Sequence, residues 1–142
     1  MATFTLQALA TELATDPLTL GYGAALTDSD KVAILNLRSG LGAANVFRSD
    51  VTTAEIINAI VAADFAALTT LQISKLNLIL SVSILDTTKA NIRTIFLGIF
   101  TGMAATITAL TALAQRTGSR AEILWGYGTV ITEQQVSDSK NL

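Results

Sequence analysis

The longest uncharged stretch of this chain runs from Thr94 to Gln115, between Arg93 and Arg116, and it leaves two options for the fold. A membrane-spanning helix needs about 20 predominantly apolar residues, and this stretch is long enough. It also contains five threonines, and from residue 104 onward its apolar residues recur at helical spacing. That pattern is typical of an amphipathic helix packed inside a protein. We therefore expect a buried helix here, with a small membrane protein of the lysis type as the alternative.

The composition favours an oligomer. Charged residues make up 14% of the 142 residues and hydrophobic residues 51%, whereas soluble domains average about 25% charged residues. A monomer would be short of polar side chains for its solvent-exposed surface, and the cores of protein interfaces are depleted in charge. The formal net charge is −2, without the basic clustering of a nucleic-acid-binding protein. The candidate oligomer-interface residues are Ile107, Leu110, Arg120 and Trp125.

The residue types that build common catalytic and metal sites are missing or isolated in the sequence. With no cysteine and no histidine, the chain has no thiolate or imidazole for nucleophilic, acid–base or metal chemistry. Asp28 and Asp30 are the closest acid pair, but the further oxygen ligands of a calcium loop do not surround them. After Ser119, Arg120 and Glu122 are predicted to face different neighbours, since positions i and i+2 of a helix do not share a face. We expect no enzyme activity, no catalytic residue, no cofactor and no metal.

Helix start and stop signals are clear in the first part of the chain. Pro17 predicts the end of a first helix, because the residue before a proline disfavours the helical backbone. Thr27 with Asp30, and Thr52 with Glu55, have the spacing of capping boxes, in which the first side chain and the third helical residue bond each other's backbone N–H. These two pairs predict helices that begin just after residues 27 and 52.

Longer helices are predicted in the second part of the chain. Dense apolar residues over 71–82 favour a helix buried on more than one side, and another helix begins at 86 or 87. The last long helix covers about 101–125 and then meets a glycine that suits a left-handed cap. The predicted fold class is all-α: a helical bundle of about five or six helices over 1–126, followed by a short C-terminal strand-like arm and tail over 127–142.

The arm is predicted from two glycines and an alternating apolar pattern. Gly126 and Gly128 permit backbone angles that other residues resist, and Val130 and Ile131 then point to opposite sides of an extended segment. Such a segment can add as a strand to the sheet edge of a partner. A strand folded back on its own domain is the alternative. The candidate partner-binding residues are Gly126, Tyr127, Gly128, Thr129, Val130, Ile131 and Thr132.

Several short blocks also occur in a fixed order along this helix plan. They are Thr15-Asp16-Pro17-Leu18 with Gly21-Tyr22, Leu26-Thr27-Asp28, Val51-Thr52-Thr53-Ala54-Glu55-Ile56, Asp64-Phe65-Ala66-Ala67-Leu68, and Ser119-Arg120-Ala121-Glu122 with Leu124, Gly126 and Gly128-Thr129-Val130. This order resembles a family of small tailed-bacteriophage virion proteins, the head-to-tail adaptors of the neck. The resemblance covers about residues 13–131, and its opening and closing blocks are the specific ones.

The resemblance implies a structural role. It implies a helical protomer repeated as a twelve-fold ring, which docks under the portal protein and meets a tail-side neck or terminator protein. Double-stranded DNA would pass through the channel without specific binding, since a weakly negative lining does not grip phosphates. The implied location is the neck of the virion after assembly in the host cytoplasm, with no membrane. Alternatives are another virion part, such as a tail-completion or capsid-associated protein, and the lysis-type membrane protein.

Overall fold

The computed structural model describes residues 2–23 and 26–142 and divides the chain into two compact units. Unit 1 combines Met1–Val46 with Thr117–Leu142, and unit 2 is the continuous segment Phe47–Arg116. The chain is mostly helical, at 53%. The boundary at Gly126 that was expected from the sequence falls inside unit 1, because the residues after it pack within that unit.

Nine helices and four short strands lie within the described residues. In chain order these are α1 (Leu6–Thr15), α2 (Asp28–Asn36), β1 (Ala44–Phe47), β2 (Val51–Thr52), α3 (Thr53–Ala59), α4 (Ala62–Ala66), α5 (Thr70–Ile79), β3 (Ile84–Leu85), α6 (Ala90–Ile99), α7 (Ala104–Leu113), β4 (Gln115–Gly118), α8 (Arg120–Trp125) and α9 (Glu133–Ser139). Strand β1 pairs with β4. Strand β2 pairs antiparallel with β3, with Val51 opposite Leu85 and Thr52 opposite Ile84. The mostly helical character is as predicted, and the helices are shorter and more numerous than expected.

The predicted helix signals at Pro17, Thr27 and Thr52 are confirmed. Helix α1 ends at Thr15, and the next residue, before the proline, has a left-handed φ of 40°. Helices α2 and α3 begin with complete capping boxes at Thr27 and Thr52. Three further helices, α5, α8 and α9, begin in the same way. Because a capping residue stabilises a helix by about 1 kcal/mol, these local hydrogen bonds fix where five short helices start.

Unit 1 has one hydrophobic core. Its buried residues come from the first helices, from α8 and from the segment after it: Leu9, Tyr22, Leu35, Ala121, Ile131 and Val136. Phe4 and Trp125 pack against this core and meet edge to face, with ring centroids 5.3 Å apart. The core therefore depends on two segments that are far apart in the sequence.

Unit 2 has two adjoining groups of buried residues. One contains Leu68, Leu76, Ile99 and Phe100, and the other contains Val51, Ile56 and Leu85. Partly buried side chains belong to both groups, among them Phe96 and Leu110. Four large apolar residues of α5 and α6 lie outside these groups and are exposed: Leu71, Leu78, Ile95 and Leu97. The expectation that 71–82 is buried on more than one side is wrong, because Leu76 alone is fully buried within α5.

The prediction of one long helix over 101–125 is also wrong. Gly102 has a φ of 80°, so α7 begins only at residue 104. Residues 115–118 then form β4, and a new capping box at Ser119 starts α8. Gly118 must be a glycine here, because an added Cβ would lie 2.6 Å from Val46 Cγ2. Three separate elements, α7, β4 and α8, therefore replace the single helix. The uncharged stretch is divided between α6, α7 and the first residue of β4. No helix in the described part of the chain is long and apolar enough to span a membrane.

The predicted strand-like arm is replaced by a turn and a helix. Gly126 ends α8 with φ 114° and ψ 158°, a positive φ but not the left-handed helical cap that was expected. The chain then turns and continues as α9, whose capping box pairs Thr132 with Gln135. Ile131 and Val136, on either side of this helix start, are 1% and 0% exposed. Their burial holds the C-terminal segment in the core of unit 1.

Candidate interaction surface

Several exposed large apolar side chains of unit 2 lie on one side of the α5–α6 helix pair. On α5, Leu71, Lys75 and Leu78 follow each other at intervals of four and three residues, so they lie on one helix face. Lys75 and Leu78 border a shallow groove whose other side is formed by Ile95 and Gly98 of α6. We call these five residues the α5–α6 surface.

The inner faces of α5 and α6 hold this surface in place. Leu76 and Ile99 are buried between the helices and contact Phe100. Gln72 Nε2 donates a hydrogen bond of 2.9 Å to the carbonyl oxygen of Ile99. Gln72 also completes the capping box at the start of α5. The same side chain therefore fixes both the start of α5 and its position against α6.

The exposure of this surface is unusual for such large apolar side chains. Leu78 is 76% exposed, Leu71 64% and Ile95 41%. Large exposed hydrophobic side chains are concentrated in unit 2, which has nine of the fourteen: Ile57, Val61, Phe65, Leu71, Leu78, Val82, Ile84, Ile95 and Leu97. Scattered exposed leucines are ordinary, but a contiguous apolar groove marks an interaction site. The arrangement can therefore bury apolar surface against a partner.

The α5–α6 surface contains one charged side chain and one position that has no side chain. Lys75 is the single charged residue of α5 and is exposed. Gly98 lies in the last turn of α6, and an added Cβ there would meet nothing within 4 Å. The missing side chain keeps the groove open between Leu78 and Ile95. A partner with an apolar ridge and a carboxylate near Lys75 would complement this shape and charge.

The structure places the four candidate oligomer-interface residues in contacts within their own units. Ile107 and Leu110 pack against the buried groups of unit 2. Arg120 Nε donates a hydrogen bond of 2.7 Å to Glu12 Oε1, and Trp125 packs on the core of unit 1. Helical spacing of apolar residues, as at Ile107 and Leu110, is equally typical of a core within one chain.

The candidate arm residues are also occupied by contacts within unit 1. The N–H of Ile131 donates to Asn36 Oδ1 at 2.9 Å, and its carbonyl accepts from Asn36 Nδ2 at 2.8 Å. The N–H of Gly128 donates to Glu122 Oε1 at 2.9 Å. Gly126 is buried, Tyr127 and Thr129 are partly buried, and Thr132 caps α9. Val130 is the exposed apolar residue of the set, at 62%. The premise of an unpaired strand backbone is therefore wrong.

A partly buried polar cluster ties the two ends of unit 1 together. Glu12 is 6% exposed and Arg120 12%, and their side chains form two parallel hydrogen bonds, of 2.7 and 3.0 Å. The hydroxyl of Tyr22 donates to the same carboxylate, with an O–O distance of 3.4 Å. Burial, together with the charge of Glu12, raises the pKa of Tyr22 well above its usual value. Although burial opposes it, backbone N–H groups of Gly21, Leu20 and Tyr22 lower the pKa of Asp16 beside this cluster.

Glu122 forms a second polar centre in unit 1. Its side chain is 1% exposed and accepts from the N–H groups of Ser119 and Gly128 at 3.0 and 2.9 Å. Arg38 Nε lies 3.4 Å from its carboxylate. Arg120 and Glu122 thus face different neighbours, as predicted. Both carboxylates contact arginines. Glu12 is also bound by the Tyr22 hydroxyl and Glu122 by backbone N–H groups, an arrangement that positions segments of the chain.

Unit 2 also has a buried polar contact. Thr106 is fully buried, and its hydroxyl donates to Asp64 at 2.6 Å and accepts from the N–H of Val61 at 3.0 Å. This contact fixes α4 against α7. Within the described residues, no group of three or more acidic, cysteine or histidine side chains is placed to hold a metal ion. Comparison with protein-family models, curated proteins and solved structures returns no match.

Proposed function

We propose that this chain is a structural virion protein of a tailed bacteriophage, a head-to-tail adaptor that forms a ring between the portal and the tail. The ordered sequence blocks between residues 13 and 131 support the family, and the exposed α5–α6 surface supports assembly. That surface is the single observation that carries the proposal, because Leu71 and Leu78 are exposed on one face of α5 with Ile95 across the groove from Leu78, and adjoining exposed apolar residues mark interaction sites.

In this proposal, the α5–α6 surface of one protomer contacts the neighbouring copy. A ring needs two different complementary surfaces on each protomer, since a head-to-tail contact that closes forms a cyclic assembly. The two units differ in charge as such a contact requires. Unit 1 has seven acidic and four basic residues, and unit 2 has four acidic and five basic residues. The acidic unit of one copy would meet Lys75 and the apolar groove of the next.

The proposed ring is twelve-fold and lies between the portal protein and a tail-side neck or terminator protein in the virion. Double-stranded DNA passes through its channel without sequence-specific contacts. The formal net charge of −2 suits that role, because a protein that neutralises many phosphates binds DNA tightly and would slow its passage. No catalytic step is part of the proposed function.

The test is assembly of the purified protein, observed by negative-stain electron microscopy and by light scattering. We expect rings from the wild-type chain and loss of rings from Leu78→Asp, which puts a charge into the contact without disturbing a buried residue. The matched control is Ile57→Asp, since Ile57 of α3 is also exposed, at 55%, and lies in unit 2 outside the α5–α6 surface. Rings that form normally from Leu78→Asp, or a wild-type protein that stays monomeric, would contradict the proposal.

A second measurement places the protein in the particle. Antibody labelling should show it at the neck of purified virions, and particles made without it should have separate heads and tails. Labelling of the capsid surface or of the tail tip would instead indicate another virion part. Recovery in a carbonate-resistant membrane fraction would indicate a membrane protein.

A further inference from the structure

The hydrophobic core of unit 2 borders a partly open apolar cavity of about 230 Å³, to which the residues of the α5–α6 surface do not contribute. Phe47, Val51, Ile92, Phe96, Leu110 and Leu113 supply much of its wall. An apolar cavity of about 150 Å³ can already hold benzene. The volume therefore suits an apolar chain of about eight carbon atoms.

One charged side chain, Arg93, reaches the wall of this cavity. Its Nη1 donates to the carbonyl oxygens of Thr87 and Thr88 at 2.6 and 2.9 Å. The centre of the guanidinium lies 3.8 Å from the centroid of the Phe47 ring. These contacts hold the guanidinium plane in one orientation at the cavity.

The remaining donors of Arg93 have no acceptor within the described part of the chain. Its Nε and Nη2 atoms make no hydrogen bond there, and no carboxylate lies within ion-pair distance of them. Nε and Nη2 form the edge of a guanidinium that can bind a carboxylate through two parallel hydrogen bonds. A fixed cation with two free donors beside an apolar cavity is complementary to a molecule with an acidic head and an apolar tail.

We propose that this cavity binds a medium-chain monocarboxylate, with its tail between Phe96 and Leu110 and its carboxylate on Arg93. Leu97 lies at the cavity wall and is 50% exposed, which gives the ligand a route from solvent. The site lies wholly in unit 2 and does not depend on the proposed ring.

The test is isothermal titration of the full chain with octanoate. We expect saturable binding with one site per chain. Octanol has the same tail without the charge, and butyrate has the charge with a short tail. We expect both to bind at least about tenfold more weakly, because a charge-assisted contact and the buried methylene groups are each worth more than a factor of ten.

Two variants separate the head from the tail of the ligand. Arg93→Gln should weaken octanoate binding about tenfold or more and leave octanol binding unchanged. Lys89→Gln removes an exposed cation of unit 2 that is not part of the cavity wall, and it should change the binding of neither ligand. Ala114→Leu adds volume at the cavity wall and should weaken both ligands. Circular dichroism identifies any variant that does not fold. In a folded variant, weaker binding is then caused by the change at the cavity.

Three results would overturn this assignment. They are no octanoate binding by the folded wild-type chain, equal octanoate affinity in Arg93→Gln and wild type, and unchanged binding in Ala114→Leu.

Discussion

The two units differ in where they place their apolar residues. Unit 1 buries Leu9, Ile131 and Val136 in one core and binds its buried carboxylates to arginines. Unit 2 leaves nine large apolar side chains exposed and keeps a cavity beside Arg93. In the proposed ring, the exposed apolar surface of unit 2 is available for contact with another copy, whereas unit 1 buries large apolar residues within its own core.

Removal of residues 127–142 should have the largest effect on this contrast. The truncation deletes two fully buried side chains, Ile131 and Val136, and loss of each costs about 2 to 5 kcal/mol. We expect unit 1 to lose its structure, which hydrogen exchange of peptides from α1 and α2 can measure. Removal of Asn141 and Leu142 alone is the control, because Leu142 is 66% exposed. A truncated protein that melts like the wild type would show that the segment is outside the core.

The next largest effect is expected for the ion pair in unit 1. Arg120→Met leaves the carboxylate of Glu12 buried without its partner, at a cost of about 3 to 5 kcal/mol. The double variant with Glu12→Leu should recover most of that loss, since no buried charge remains. Urea unfolding measures both. A loss below about 1 kcal/mol in the single variant would mean that solvent reaches this carboxylate.

The matched ion pair in unit 2 provides the comparison for that measurement. Arg48 Nη2 lies 3.2 Å from Glu55, whose side chain is 38% exposed. Because exposed pairs are worth about 0 to 1 kcal/mol, loss of the pair through Glu55→Gln should cost much less than Arg120→Met. Equal losses of unfolding free energy in Glu55→Gln and Arg120→Met would show that the buried ion pair of unit 1 contributes no more than the more exposed pair of unit 2.

Alkaline pH should destabilise unit 1 through Tyr22. Burial and the charge of Glu12 raise the pKa of this tyrosine in the folded state. In the unfolded chain the hydroxyl ionises near pH 10, so the unfolded state binds fewer protons above that pH. Stability is therefore fully present below about pH 10 and is lost as the pH rises further.

The measurement is urea unfolding between pH 8 and 12. Tyr22→Phe should show a shallower decline above pH 10 than the wild type, because it has no hydroxyl to ionise. Tyr127→Phe retains Tyr22 and should keep the steep decline. Identical curves for the wild type and Tyr22→Phe would show that folding does not raise the pKa of this hydroxyl.

The smallest effect is expected at a glycine of unit 2. Gly98→Ala adds a methyl group into open space and should stabilise α6 by up to about 1 kcal/mol, the difference in helix propensity. Gly118→Ala in unit 1 should do the opposite, because its Cβ would lie 2.6 Å from Val46 Cγ2 and crowding costs about 1 to 3 kcal/mol. Thermal unfolding of the two variants compares packing in the two units. A destabilised Gly98→Ala would mean that the groove is already filled.

The sequence predicts those parts of the fold that depend on local hydrogen bonds. Thr27 and Thr52 mark helix starts because the side chain three residues later completes each capping box. The same spacing at Ser119 and Thr132 also marks helix starts. The apolar periodicity over 101–125 and the alternation over 128–133 instead favoured one long helix and a strand. At these two positions the capping-box spacing was the better guide to where helices begin.

Long-range contacts and the interaction surface could not be predicted in this way. Nothing near Glu12 in the sequence points to Arg120, 108 residues away. Likewise, the helical spacing of Leu71, Lys75 and Leu78 identifies a shared face but not its environment. Whether that face lies inside or outside depends on which side of α5 meets α6, and the sequence pattern is apolar on both sides. Hydropathy therefore predicted burial for residues that are 64% and 76% exposed.

The pairing of Asn36 with Ile131 has a consequence for the order of folding. The Asn36 side chain binds both backbone groups of a residue that is 95 positions later. During synthesis at about 5 to 20 residues per second, unit 2 leaves the ribosome as one continuous segment, while α1 and α2 must wait several seconds for Ile131. Their apolar faces are without a native partner for that interval. Unit 1 is therefore the region in which a nascent chain is most open to chaperones and to premature association.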